Sequence, residues 1–288
     1  DCATDSSGNV YVAGSFSAVT DLDPGPDVAI HDPGSGIGLY LSKFDSTGTH
    51  IWTQSWSGSH DWADDRVFLA VGPDDGAIIS GPIRGTHDLD PGPDVDEYSS
   101  GQETDIVISK FDAGGTFQWG ALWNVEGTEW CRAMVLDSDG AIYVAADISN
   151  AEPGESTLGS ERKASVCKVD AEGDFLWCLT WPALDWTSVT GLAVDNTQNL
   201  FITGAFSGLV DFDPGPGICS VSSGSRQGQD IFLLKTDLEG EFKGIRHWGV
   251  RGSWNEPWGI ETYNGYVYVT GVSGELYFLS KFNSNNNQ

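Results

Sequence analysis

The sequence predicts an all-β chain, a five-bladed β-propeller of four-stranded antiparallel blades, and two recurring phrases carry that prediction. The first, NVYVAG, ends at Gly14 and returns as AIISG at Gly81, AIYVAA at Ala146, NLFITG at Gly204 and YVYVTG at Gly271, in steps of 67, 65, 58 and 67 residues. The second follows each copy: LSKFD with Lys43, ISKFD with Lys110, VCKVD with Lys168, LLKTD with Lys235 and LSKFN with Lys281. Self-similarity at such a period is the mark of a repeat architecture. No stretch shows a sustained helical period. Five copies fill 288 residues and leave no room for a second fold. The units run approximately over 1–65, 66–130, 131–188, 189–256 and 257–288 of a single propeller domain, 1–288.

Within each unit four short strands are legible. The first resembles GLAVD (191–195), the second is the NVYVAG phrase, the third the Lys phrase, and the fourth resembles HIWTQSW (50–56). Alternation and β-branched or aromatic residues support strands in each. DSSGN and DSDG separate first from second strands, and DSTG, DAGG and DAEG separate third from fourth. Asp opens such turns by accepting backbone N–H bonds, and Gly supplies the positive φ that closes them. An up-and-down four-stranded sheet, repeated, is the unit of a propeller. The fifth unit stops at NSNNNQ, where a Trp strand should follow, so its blade is expected to have three strands and an open edge around 276–282. Unpaired edge groups invite covering, and a segment of a neighbouring molecule or of a longer parent chain is the expected partner there.

The totals exclude some functions. Forty-two acidic residues against 14 Lys and Arg leave a net charge of −28, which repels a nucleic-acid backbone. No stretch has the apolar length to insert into a bilayer. The chain opens at Asp1 and reads as a mature or excised segment. Of the five cysteines, Cys167 and Cys178 fall on one hairpin. A disulfide needs them opposite, and a register offset by one residue separates them to opposite faces. Both readings stay open.

Between second and third strands lies an acidic, proline-locked heptapeptide: DLDPGPD at 21–27 and again at 88–94, and DFDPGPG at 211–217. Asp21, Asp23 and Asp27, then Asp88, Asp90 and Asp94, are spaced like ligands of a calcium loop, in which oxygen donors alone are used. Asp211 and Asp213 keep two of the three carboxylates. The alternative is a plain turn in which the carboxylates cap backbone N–H groups.

The repeated Lys needs a partner if it faces between blades, and the DxD carboxylates are natural candidates. Trp52 and Trp56, Trp119 and Trp123, and Trp177 and Trp181 each share a strand face and suit packing between blades. A further Trp follows an acid after several fourth strands: Asp61 and Trp62, Glu129 and Trp130, Asp185 and Trp186, with Trp254 after Ser253. An aromatic ring beside a carboxylate is suited to gripping a sugar, so these seven residues are candidate glycan contacts, against gap-filling between blades. No nucleophile or phosphate-binding motif is present. The acids recur in every unit, whereas a catalytic pair should break the symmetry, so an enzyme acting on polysaccharide ranks below a lectin.

The combination of DSSGNVYVAG, DFDPGPG and LSKFDSTG followed by Trp resembles the bacterial β-propeller repeat family of secreted and cell-surface proteins. The resemblance covers all five units and implies a propeller fold and an extracellular or cell-surface setting. It implies no set activity. The expected function is a calcium-stabilised structural or protein-interaction module.

Overall fold

In a computed structural model, residues 1–34, 36–56, 66–149, 162–183, 185–224 and 228–285 are described, with the side chain of Gln102 excepted. The chain is all-β: among the described residues there are strands and turns but no helix, so none crosses a membrane. Five antiparallel sheets follow one another along the chain. Sheet I holds Cys2–Thr4, Val10–Phe16, Gly38–Phe44 and His50–Trp56, and sheet II holds Phe68–Val71, Ala77–Asp88, Glu97–Phe111 and Phe117–Trp123. Sheet III comprises Thr128–Leu136, Ile142–Ser149, Lys163–Val169 and Phe175–Trp181, and sheet IV comprises Trp186–Val194, Asn199–Ser207, Asp230–Asp237 and Phe242–Trp248. Sheet V has three strands, Asn255–Tyr263, Tyr266–Ser273 and Leu276–Asn283. In every sheet, sequence neighbours are sheet neighbours, as short Asp-Gly turns require.

The heptapeptides close small ribbons inserted between second and third strands. Thr20–Asp21 pairs with Ile30–His31, and Leu209–Asp211 pairs with Ser220–Ser222. In sheet II the ribbon is continuous with the sheet, carrying the ladder on to Asp88↔Glu97 past a bulge between Arg84 and Thr86.

Two compact units are distinguished. The first is Asp1–Cys131 with Ser138–Gly140 and Asp170–Asp174; the second is Arg132–Asp137, Ala141–Val169 and Phe175–Gln288. The core of the first gathers Tyr11, Leu41, Trp56, Leu69, Ile79 and Phe111. The core of the second gathers Tyr143, Val166, Trp181, Ile202, Phe206, Phe212 and Phe232. In the second, every residue of Ile142–Ser149 is buried, so both faces of that strand are covered.

Two registers matter for the site. A bulge after each repeated Lys sets Lys43 opposite Trp52, Lys110 opposite Trp119, and Lys168 opposite Trp177. Cation and indole therefore share one face. Cys167 lies opposite Cys178, and the two form a disulfide. The corresponding pair in sheet IV is Leu234 and Ile245.

Candidate functional site

The heptapeptides are locking loops. Asp21 Oδ1 accepts from the N–H groups of Asp23 and Ala29, at 3.1 and 2.9 Å. Asp23 Oδ1 accepts from Gly25 N–H at 2.7 Å. Asp88 and Asp90 repeat these bonds toward Asp90, Asp96 and Gly92. Asp211 and Asp213 repeat them toward Asp213, Cys219 and Gly215. Gly217 stands where the other two loops carry Asp27 and Asp94, and a Cβ there would collide with Asp213 Oδ2. Asp27 and Asp94 are exposed. Among the described residues no three His, Cys, Asp or Glu side chains gather as they would around a metal.

In the second and third heptapeptides the residue between the two aspartates does the locking. Leu89 and Phe212 are buried, and their carbonyls face back to the preceding sheet. Trp56 of sheet I donates its indole N–H to Leu89 O at 2.9 Å, and Trp181 of sheet III donates to Phe212 O at 3.2 Å. Sheet V has no heptapeptide, and Trp248 of sheet IV, at the same position, has a buried indole N–H without an acceptor among the described residues.

The tight turns between third and fourth strands make a second lock. Ala113 O accepts from Lys43 Nζ at 3.1 Å and from the Trp52 indole at 3.3 Å. Ala171, in the segment Asp170–Asp174 of the first unit, accepts from Trp119 at 3.0 Å. Within the second unit, Leu238 O takes Lys168 Nζ at 3.0 Å and Ser284 O takes Lys235 Nζ at 2.7 Å. The partners expected for Lys among the DxD carboxylates are not the ones found. Lys43 is paired with Asp5 at 3.0 Å and bonds Tyr11 Oη at 2.7 Å, and Lys110 is paired with Asp74 at 2.8 Å. These acids belong to the turn between first and second strands. Burial resists ionisation of Asp5, but hydrogen bonds from Asn9, Lys43 and Ser7 prevail and lower it to about 2.

The Trp–acid candidates do not form one repeated pocket. Asp61 and Trp62 lie outside the described residues. Trp130 and Trp186 are half-buried, and they are not equivalent: Trp130 stands seven residues before Asp137, whereas Trp186 stands nine before Asp195. Asp185 has one buried oxygen that no donor among the described residues reaches. Trp254 alone of the described set is well exposed, at 62%, and its indole bonds Glu256 at 3.0 Å.

Two groups of acids break the repeat. Glu129, counted back from the same turn aspartate, occupies the position of Thr187, and both are fully buried. Thr187 bridges Trp181 O and Ala164 N, a neutral staple at the head of its sheet. Glu129 instead faces Asp105, itself buried and bonded by Asn124 at 2.7 Å, with Glu103 nearby accepting from Gly127 N–H. Among the described residues no N–H or hydroxyl reaches either Glu129 oxygen. Burial, reinforced by Asp105 and Glu103, pushes Glu129 up to about 9, and burial raises Asp105 as well. Two adjacent carboxyls out of water share a proton. Asp147 is the other: fully buried, it accepts from Arg132 at 2.8 Å, Ser188 Oγ at 2.7 Å and Val189 N–H at 3.0 Å. Burial raises its pKa against the pull of Arg132 and Arg162. Glu129, Asp105 and Asp147 are each no more than 1% exposed. Their signal in the sequence was the broken repeat itself, an acid where a sister unit has Thr187 or Ala205.

No protein-family model and no curated protein matches the chain. Among solved structures it is similar to a protein of unknown function from Bacteroides caccae, at 11% identity and a TM-score of 0.40 over 92% of this chain and 89% of that one. It is also similar to a chain described as a "putative glycosidase" from Bacteroides thetaiotaomicron, at 8% identity and a TM-score of 0.36 over 98% and 86%. At these scores neither likeness bears on the chemistry of this chain.

Proposed function

We propose that the chain is a propeller-type array of five repeats that serves as an extracellular structural or protein-interaction module. One observation carries the reading: in several repeats the recurring groups hold sheet to sheet. The repeated Lys and Trp side chains donate to carbonyls of the following sheet. The repeated aspartates shape the loops that present those carbonyls. Apolar side chains also stand exposed and available to a partner, including Val28, Val95 and Ile218, each following a heptapeptide. Calcium at the heptapeptides belongs to the proposal as an added stabiliser, resting on the spacing of Asp21, Asp23 and Asp27 and its copies. Thermal melting with and without EGTA tests it, and a lowered midpoint in EGTA is the expected result.

The module reading itself is tested by activity and binding. The protein should leave a panel of polysaccharides and aryl glycosides uncleaved, and Lys43 or Trp56 variants should lose stability. Turnover abolished by a single carboxylate variant would overturn the reading. A glycan site has one observation in its favour, the exposed Trp254 beside Glu256. Oligosaccharides that quench tryptophan fluorescence in the wild type and not in Trp254→Ala would establish it.

A further inference from the structure

We infer that the junction of sheets I and II holds a binding pocket for a small neutral ligand, a single aromatic ring carrying one hydroxyl group. Trp56 and Leu39 of sheet I face Ile83 and Val107 of sheet II, and the heptapeptide's Leu89, across it. The pocket has room of about 30 Å³ for water-sized spheres, more than a single water requires. Its lining is buried except at His87, which is half-buried, and Asp88, which is exposed; these two mark its mouth.

The repeat shows what fits such a junction. Sheets III and IV make the same contact, with Trp181 in the place of Trp56. There Phe206, Phe212 and Phe232 occupy the positions of Ile83, Leu89 and Val107. Their rings lie edge to face or tilted, with centroids 5.2, 6.4 and 4.9 Å apart. Leu39 regains part of the lost volume, since its counterpart in sheet III is Ala164. The rest is the pocket. It opens where a sister junction has aromatic rings and is walled by an indole, so a flat ring fits it.

Polarity narrows the ligand further. Ser109 is 2% exposed and lines the pocket. Its counterpart Ser42 bonds Thr53 at 2.7 Å, and in sheet IV the same position is Leu234. Opposite Ser109 stands Gly120, and the Ser109 hydroxyl makes no hydrogen bond among the described residues. A buried hydroxyl without a partner costs stability, and a hydroxyl on the ligand supplies the missing bond. The walls are otherwise mainly apolar, so a charged ring would lose its hydration there without compensation. Asp88 at the mouth adds repulsion to any anion. A neutral phenol meets all of these conditions.

Titration of phenol and of toluene into protein with isotope-labelled Ile, Leu and Val methyls tests this. The two ligands differ only by a hydroxyl in place of a methyl. Phenol should shift the methyls of Ile83, Leu89 and Val107, and its ring protons should show Overhauser contacts to them. Ser109→Ala should weaken phenol roughly tenfold and leave toluene within about twofold. Val107→Phe and Leu89→Phe each install the residue of the sister sheet and should abolish the phenol shifts while the protein stays folded. The Overhauser contacts locate the ligand in the wild type even if a variant fails to fold. Pocket methyls that do not shift up to the solubility limit of phenol, contacts to other methyls instead, or equal weakening of phenol and toluene by Ser109→Ala would each overturn the inference. The module reading, which rests on the Lys and Trp locks, would survive any of these.

Discussion

Lys43 and Lys281 stand at the same point of the same repeated phrase, and the protein treats them as opposites. Lys43 is out of water, held by Asp5, Tyr11 and Ala113. Lys281 lies in solvent across its own tyrosines. The repeat supplies the cation, but the sheet that follows decides its environment. A buried ammonium is tolerable only where its donors find acceptors, so each lysine is as structural as its neighbour allows.

The largest test of that difference is to remove both cations. Lys43→Met should destabilise the protein by about 3–5 kcal/mol, because it strands a buried Asp5. Lys281→Met should change stability by less than about 0.5 kcal/mol, as surface substitutions do. Denaturant melts at neutral pH measure both, and equal losses would break the comparison.

Glu129 and Thr187 sharpen the same lesson with a proton. Glu129 in the folded chain holds its proton up to about 9, against an ordinary value of 4.5. The folded protein therefore keeps a proton that the unfolded chain releases. The associated stability is fully present below about pH 4.5 and is lost as pH rises through about 9. Glu129→Gln keeps a donor toward Asp105 without the titration. It should be more stable than wild type by about 1–2 kcal/mol at pH 8 and flatten the decline between pH 6 and 9. Parallel pH profiles for the two proteins would count against the shared proton.

Trp56 and Trp248 make a smaller pair. One indole N–H reaches Leu89 O; the other is buried without an acceptor. Trp56→Phe should cost about 1 kcal/mol more than Trp248→Phe, the difference being the hydrogen bond. The smallest expected effect is at the heptapeptide. Asp90→Asn keeps an oxygen for Gly92 N–H and should shift stability by less than about 0.5 kcal/mol in EGTA. If calcium adds to the turn, the same variant in calcium should lose more than that.

Much of the architecture was legible because it is local. Period-two alternation, Asp-Gly turns and a recurring Lys and Trp predict strands, hairpins and repeat boundaries, and sheet V has three strands where the fourth phrase is missing. The purpose of DLDPGPD was less legible. Its aspartates looked like ligands, yet the residue that matters for packing is the one between them, Leu89 or Phe212, whose carbonyl receives an indole from another sheet. The Lys partner was misplaced for the same reason, since Asp5 and Asp74 lie in turns that only strand pairing brings under the cation. The three Trp–acid pairs and Trp254 looked equivalent by spacing to the preceding strand, and counting to the following turn separates Trp130 from Trp186.

By itself the sequence determined which segments are strands, where they turn and which positions recur. Hydrophobic alternation and turn chemistry act over a few residues, and they are written in the chain. The tertiary structure alone decided which recurring groups are buried and which are free. Desolvation and hydrogen bonding depend on the next sheet, not on the next residue, which is why Lys43 and Lys281 share a phrase and not a fate.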